Sequence, residues 1–143
     1  MSSHPNSVWR FTTSFPSVSG AGEAFVDAVV EELERRAWIP KDLFAVRLAL
    51  EEAIANAVEH GNGRDPSKKV DVSAEVAVER VLLSVRDEGE GFDEAAAPNP
   101  LLAENLEEPN GRGLLLIRSF MTNVWRASGG AEIVMEKTPT PLS

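Results

Sequence analysis

The sequence predicts an α+β fold: a two-layer α/β sandwich with a mixed, mostly antiparallel sheet and helices on one face. Three observations carry this. Several short segments alternate apolar and polar residues, the period of strands with one buried face. Other segments repeat apolar residues at helical spacing. The two kinds are grouped, in the order β-α-α-β-β-loop-α-β-β, rather than strictly alternating as in parallel α/β folds.

Residues 1–7 are polar and read as a disordered tail. Trp9, Phe11, Thr13 and Phe15 then alternate with polar neighbours, which predicts the first strand. Pro16 to Gly22 is a turn-rich connector, and Ser19 is placed to cap a helix from about Ala21 to Trp38. Phe25, Val29, Val30 and Leu33 recur on one side of that helix. Pro40 suits the first turn of a second helix, which runs to about His60 and is stopped by Gly61 and Gly63. Its core face is Leu43, Val46, Leu50, Ala53, Ile54 and Ala57, which fall within an arc of about 100°.

Pro66 to Lys69 makes a loop. Val70, Val72, Ala74 and Val76 alternate, as do Val81, Leu83 and Val85. A short turn around Val78–Arg80 joins the two runs as an antiparallel hairpin. Asp93 to Asn110 is rich in Ala, Pro, Asn and Glu and reads as a mobile loop with a short apolar piece at Leu101–Leu106. Gly113 to Met121 predicts a third helix. Two final strands, Asn123–Ala127 and Glu132–Glu136, are joined through Ser128-Gly129-Gly130. One domain, 8–138, is expected, with a second tail at 139–143; the length fits a single domain.

Composition excludes several classes of function. A net charge of −9 argues against direct nucleic-acid or anionic-membrane binding, since both need a basic footprint. The chain has no cysteine, which removes disulfides, thiol nucleophiles and Cys-ligated zinc and suits a reducing cytoplasm. Its two histidines, His4 and His60, cannot build a His-rich metal cage. No signal peptide is visible, and no stretch approaches the roughly 18 apolar residues of a membrane span.

Three constellations carry chemistry. Glu52, Asn56 and His60 are spaced four apart on the second helix, along a stripe away from the Leu50/Ile54 arc. A carboxamide oxygen there can ligate a hard cation such as Mg²⁺, while the carboxylate orients or deprotonates a nucleophile beside it. The same pattern also describes a plain solvated helix face. Asn in mid-helix is a mediocre helix former, which favours a functional role.

The second is Asp87-Glu88-Gly89-Glu90-Gly91-Phe92. Asp87 keeps the parity of Val81, Leu83 and Val85, so it points to the buried side, where a carboxylate needs a partner. An exocyclic amine would serve, and Gly89 and Gly91 permit close backbone approach. An ordinary acidic turn is the alternative. The third is Gly111-Arg112-Gly113, opening the third helix, where free backbone N–H groups can bind phosphate. A flexible hinge would look the same.

Together, in this order, these residues resemble the GHKL (Bergerat-fold) ATPases, and within them the bacterial anti-sigma factor serine/threonine kinases. The resemblance runs from about Trp9 to Lys137 and implies a Bergerat, or histidine-kinase-like ATPase, sandwich. The family's Glu-x-x-x-Asn-Ala-x-x-His is present from Glu52 through Asn56 to His60. It implies that Asn56 coordinates Mg²⁺ and that Glu52 is the catalytic base. The Asp-x-Gly-x-Gly-Phe motif spans Asp87 to Phe92 and implies that Asp87 accepts from the adenine amino group of ATP, with Gly89, Gly91 and Phe92 shaping the pocket. Gly111-Arg112-Gly113-Leu114 resembles the second glycine box, preceded by an ATP lid at about Asp93–Asn110. Arg112 is placed to neutralise γ-phosphate charge, with plain solvation as the alternative. His60 and Asn62 either reach phosphate or ribose or cap the helix, and Glu51 is read as structural or solvated. The chain departs from many relatives at Ala131, where they place a threonine near the adenine.

Sensor histidine kinases of this fold need an upstream dimerisation helix pair with a phosphoacceptor His, and gyrase-like members need further domains. The resemblance therefore implies a stand-alone kinase. It would phosphorylate a serine or threonine of an anti-anti-sigma (STAS-domain) partner, sequester a sigma factor and form a homodimer. A nucleotide-gated binding module with little or no kinase activity is the alternative from another class, and a non-binding scaffold a third.

Overall fold

The structure, a computed structural model, describes residues 7–89 and 109–141, with the side chains of residues 109–114 left undescribed. The elements follow the expected order: β1 (Trp9–Pro16), α1 (Glu23–Arg35), α2 (Pro40–Asn56), β2 (Lys69–Val76), β3 (Val81–Arg86), α3 (Pro109–Phe120), β4 (Asn123–Ala127) and β5 (Glu132–Lys137). A π-helical turn (Ala57–Gly61) extends α2, and a 3-10 turn (Ser128–Gly130) joins β4 to β5. The strands form one sheet in the order β1-β2-β3-β5-β4. Every pairing is antiparallel, so the mixed character expected from sequence is absent among the described strands.

Register explains why one face of the sheet is apolar. Phe11, Ala74, Leu83, Met135 and Val124 stand opposite one another across all five strands. The neighbouring row is Thr13, Val72, Val85, Ile133 and Arg126. Because side chains alternate along a strand, these rows share the face that the helices cover. Val29, Leu33, Val46 and Leu50 pack onto it and are fully buried. Each such side chain contributes about 1.5–3 kcal/mol by leaving water. α2 lies between α1 and α3 and packs along both.

The ends of α1 depart from expectation. Gly22 precedes the helix and no side chain caps it. Ser19 does not cap because residues 16–23 close turns of their own: Val18 N–H donates to Pro16 O, Ala21 N–H to Val18 O and Glu23 N–H to Gly20 O. At the other end the helix stops at Arg35, not Trp38. Ala37 takes a left-handed φ of 65°, Ala37 N–H donates to Glu34 O and Trp38 N–H donates to Leu33 O. That is a Schellman closure, and it folds Trp38 back onto the core.

Two polar contacts tie down the periphery. Asp42, in the first turn of α2 and 1% exposed, accepts from the Thr140 N–H (2.8 Å) and hydroxyl (2.7 Å), with Lys137 Nζ at 3.7 Å. The segment read as a C-terminal tail is thus held onto α2 as far as Thr140. Burial alone would raise the Asp42 carboxyl, but the Thr140 donors and Lys137 outweigh it and hold it below its ordinary range. At the far end of α1, buried Glu32 pairs with Arg36 at 2.8 Å, and Arg36 Nη1 donates to Ser7 O at 2.6 Å.

Candidate functional site

Asp87 follows β3 directly. Its N–H donates to Ala131 O at 2.9 Å, adding one rung to the β3–β5 ladder and keeping its side chain on the helix-covered face. Oδ1 accepts the Gly89 N–H at 2.8 Å. The rest of the carboxylate lies against Gly61 at the end of the π turn. A Cβ on Gly61 would stand 2.2 Å from Asp87 Oδ2, and one on Gly89 would stand 2.4 Å from Gly61 O. Neither glycine position therefore has room for a side chain beside the carboxylate. Burial pushes the Asp87 carboxyl above its ordinary range, against the Gly89 N–H and the positive charges of Arg126 and Lys68. Oδ2 receives no hydrogen bond among the described residues.

Glu52 and Asn56 are half-buried on α2, and His60 is exposed on the π turn. The α-helical hydrogen bonding ends at Asn56, earlier than expected. Asn62 N–H then donates to Ala57 O at 2.9 Å, five residues back, so the chain widens where it meets Asp87. Among the described residues, none of the three side chains makes a hydrogen bond or ion pair. A half-buried carboxylate and carboxamide without protein partners are available to a ligand. Glu51, by contrast, pairs with Arg47 at 3.6 Å on the exposed side, as expected of a solvated residue.

α3 runs alongside α2 in the opposite sense. Phe120, at its C-terminal end, meets Phe44 near the start of α2 edge to face, with ring centroids 6.4 Å apart. Nine residues earlier along α3, on the order of 13 Å at 1.5 Å per residue, stands Gly111. Nine residues later along α2 stands Ala53, beside Glu52. The first turn of α3 is thus brought level with the Glu52–Asn56 stripe. The helix begins at Pro109, four residues before Gly113 where it was expected, so Gly111 and Arg112 lie inside its first turn and Gly113 just past it. Of the three, Gly111 falls among the first four N–H groups, which a helix leaves without internal partners, whereas Gly113, the fifth helical residue, lies beyond that set. The side chains of Arg112 and Leu114, and all of Gly91, Phe92 and the expected lid up to residue 108, lie outside the described residues.

Glu52, Asn56, His60, Asp87, Gly89 and the Gly111–Gly113 turn thus gather at one end of the helix layer. Two residues around the Asp87 turn were not legible from sequence. Gly61 was read as a helix stop, but its φ is not positive and its service is to admit the carboxylate. Asn62, weighed between ligand contact and capping, is 3% exposed with its amide spent inside the fold.

The residues fit a magnesium nucleotide. No group of three acidic or histidine side chains capable of holding a metal occurs among the described residues. A cation here would rest on the Asn56 oxygen and on oxygens brought by a phosphate ligand, a set that suits Mg²⁺. The Asp87 cleft, narrowed by two glycines, suits the edge of a flat base carrying a donor. No helix among the described residues is long and apolar enough to cross a membrane.

Comparison with known proteins identifies the family of this fold. Residues 19–137 match the family described as histidine kinase-like ATPase domain. An anti-sigma F factor of Oceanobacillus iheyensis is 31% identical over 118 residues, covering 80% of each chain. One from Clostridium perfringens is 29% identical over 102 residues, 68% of this chain and 73% of that protein. One from Geobacillus stearothermophilus is 35% identical over 85 residues, 58% of each. A crystal structure of the RsbU and RsbW domains of a Mycobacterium tuberculosis protein superposes with a TM-score of 0.62 at 18% identity. That match covers 93% of this chain and 33% of the other, and at such identity it speaks to the fold alone.

Proposed function

The chain belongs to the histidine kinase-like ATPase family, on its anti-sigma factor branch, and from that premise we propose that it is an ATP-dependent serine/threonine-protein kinase acting as an anti-sigma factor. The observation that carries the nucleotide reading is the Asp87 carboxylate, half-buried between Gly61 and Gly89 with Oδ2 unbonded among the described residues. A buried acceptor of this kind calls for a donor, and the adenine amino group is one.

In this reading Asp87 accepts from adenine, and Gly89, Gly91 and Phe92 shape the base pocket. Asn56 holds Mg²⁺, which supplies neutralising charge at the phosphates when bound. The Gly111 N–H and Arg112 face the phosphates, His60 stands beside them, and Gly113 and Leu114 complete the second glycine box. Glu52 accepts the proton of an incoming serine or threonine hydroxyl. That oxygen forms a bond to the γ-phosphorus as the bond from phosphorus to the β–γ bridging oxygen breaks, and ADP leaves. Catalysis is positioning and electrostatics, as phosphoryl transfer requires. The acceptor is an anti-anti-sigma protein with a STAS domain, the alternative partner a sigma factor, and the kinase a homodimer in the cytoplasm.

The test is phosphotransfer from γ-labelled ATP to a STAS-domain protein that co-purifies with the chain. Glu52→Gln should lower the rate by about 10²–10⁴-fold while Mg-ATP still binds. An unchanged rate would end the assignment of Glu52. No transfer from the wild-type protein, with ATP bound, would leave a nucleotide-gated binding module.

A further inference from the structure

Asn62 stands one residue beyond Gly61, and no part of its side-chain amide is idle. Nδ2 donates one hydrogen to Ser17 Oγ at 2.7 Å and the other to Lys69 O at 2.9 Å. Oδ1 accepts the Glu88 N–H at 2.8 Å. Ser17 is itself fully buried and donates its N–H (3.0 Å) and hydroxyl (2.8 Å) to Lys68 O. One side chain therefore ties together four segments: the end of the π turn, the β1–α1 connector, the start of β2 and the turn after β3.

The last tie bears on chemistry. Glu88 sits between Asp87 and Gly89, and the Gly89 N–H holds Asp87 Oδ1. Fixing the Glu88 amide fixes the rotation of that whole turn against the end of α2. Apolar filling would hold the turn near α2 but leave it free to slide, whereas a hydrogen bond sets direction as well as distance. We propose that Asn62 is a positioning residue for base recognition, whose Oδ1 aims the Asp87 carboxylate at the exocyclic amine of the nucleotide. The same link sets the span between the base end of the site at Asp87 and the phosphate end at Asn56 and His60. The inference rests on the reading of Asp87 as the acceptor of that amine.

A merely structural Asn62 would affect all nucleotides alike. The experiment is therefore calorimetric titration with Mg-ATP and with Mg-ITP, whose base carries a carbonyl in place of the amine. The wild-type protein should prefer ATP, and Asp87→Asn should erase the preference. Asn62→Ala should cut it about tenfold, the scale of one hydrogen bond, with ITP affinity moving much less. Asn62→Asp retains an oxygen for the Glu88 N–H whether ionised or protonated. It should keep the preference while melting lower, since the Nδ2 donations are gone. If Asn62→Ala does not fold, Asn62→Leu fills similar volume without an acceptor and carries the same expectation. An Asn62→Ala (or Leu) protein that keeps the preference, or an Asn62→Asp protein that loses it, overturns the positioning role alone. An ATP preference that is absent in the wild type, or survives Asp87→Asn, overturns the reading of Asp87 and this inference with it.

Discussion

Gly61→Ala isolates the Asp87 cleft from the rest of the site. The added methyl would stand 2.2 Å from Oδ2, 2.3 Å from Cγ and 2.8 Å from Cβ of Asp87. Heavy atoms do not tolerate such approaches, so something must move. The backbone at Gly61 has no positive φ and accepts alanine, which in a helical turn is favoured over glycine by about 1 kcal/mol. The strain therefore falls on the carboxylate, which can escape only by turning away and releasing the Gly89 N–H. Overpacking of this kind costs about 1–3 kcal/mol. Net of the helical gain, the loss of stability is about 0–2 kcal/mol, a drop in melting temperature of no more than about 8 °C. Nucleotide binding should suffer more. A displaced Asp87 forfeits a hydrogen bond to a charged group, about 1.5–3 kcal/mol, or roughly 10- to 150-fold in Kd. Calorimetric titration with Mg-ATP, beside a thermal melt of the ligand-free protein, measures both. Gly63→Ala is the control: φ there is +60° with open space around the Cβ position, so stability should fall and affinity should not. A folded Gly61→Ala protein that binds ATP within twofold of wild type would refute the reasoning, because the carboxylate would not be where binding needs it.

Two further outcomes follow from the carboxylates. Asp87 is raised by burial, so its contribution to stability is full below the unfolded carboxylate range and lost as pH rises through the folded value. Asp87→Asn should accordingly raise the melting temperature of the ligand-free protein at pH 7 while weakening ATP binding. The wild type's affinity should fall as pH is lowered through that raised value, and that of Asp87→Asn should stay flat. Asp42 has the opposite sign: its lowered carboxyl stabilises above the unfolded carboxylate range, and the benefit fades as pH falls through the folded value. Thr140→Ala, which removes the 2.7 Å hydroxyl donor, should cost about 1.5–3 kcal/mol at pH 7 in denaturant melts, a difference that shrinks in strong acid.

The fold was legible because its signals are periodic. Val70 to Val76 and Val81 to Val85 alternate without interruption, and their burial follows the alternation. Asp87 was placed by the same parity, carried one residue past the strand. What escaped was set by contacts distant in sequence. Nothing local to Gly61 shows that a carboxylate 26 residues away, at position 87, will lie against its Cα. Asn62 looks like any polar residue after a helix until Ser17, Lys69 and Glu88 surround it. The end of α1 was misread because alanine at position 37 adopts a left-handed conformation that is usually left to glycine.

The hydrogen bond from Asp87 N–H to Ala131 O closes the long excursion of the chain that leaves β3 and returns as β5. Closing a loop costs only about 0.6 kcal/mol more for each doubling of its length. Insertions or deletions between the two strands are therefore inexpensive as long as this rung is kept. That tolerance holds only outside α3 and β4, which lie between the two strands and are fixed by packing against α2 and by pairing with β5. The rung also serves as a reporter. If the turn at Glu88–Gly89 opens independently of the sheet, the Asp87 amide exchanges its hydrogen faster than its β3 neighbours; if the two open together, it exchanges with them. Its exchange rate therefore measures how far the recognition turn is an extension of the sheet and how far it opens on its own.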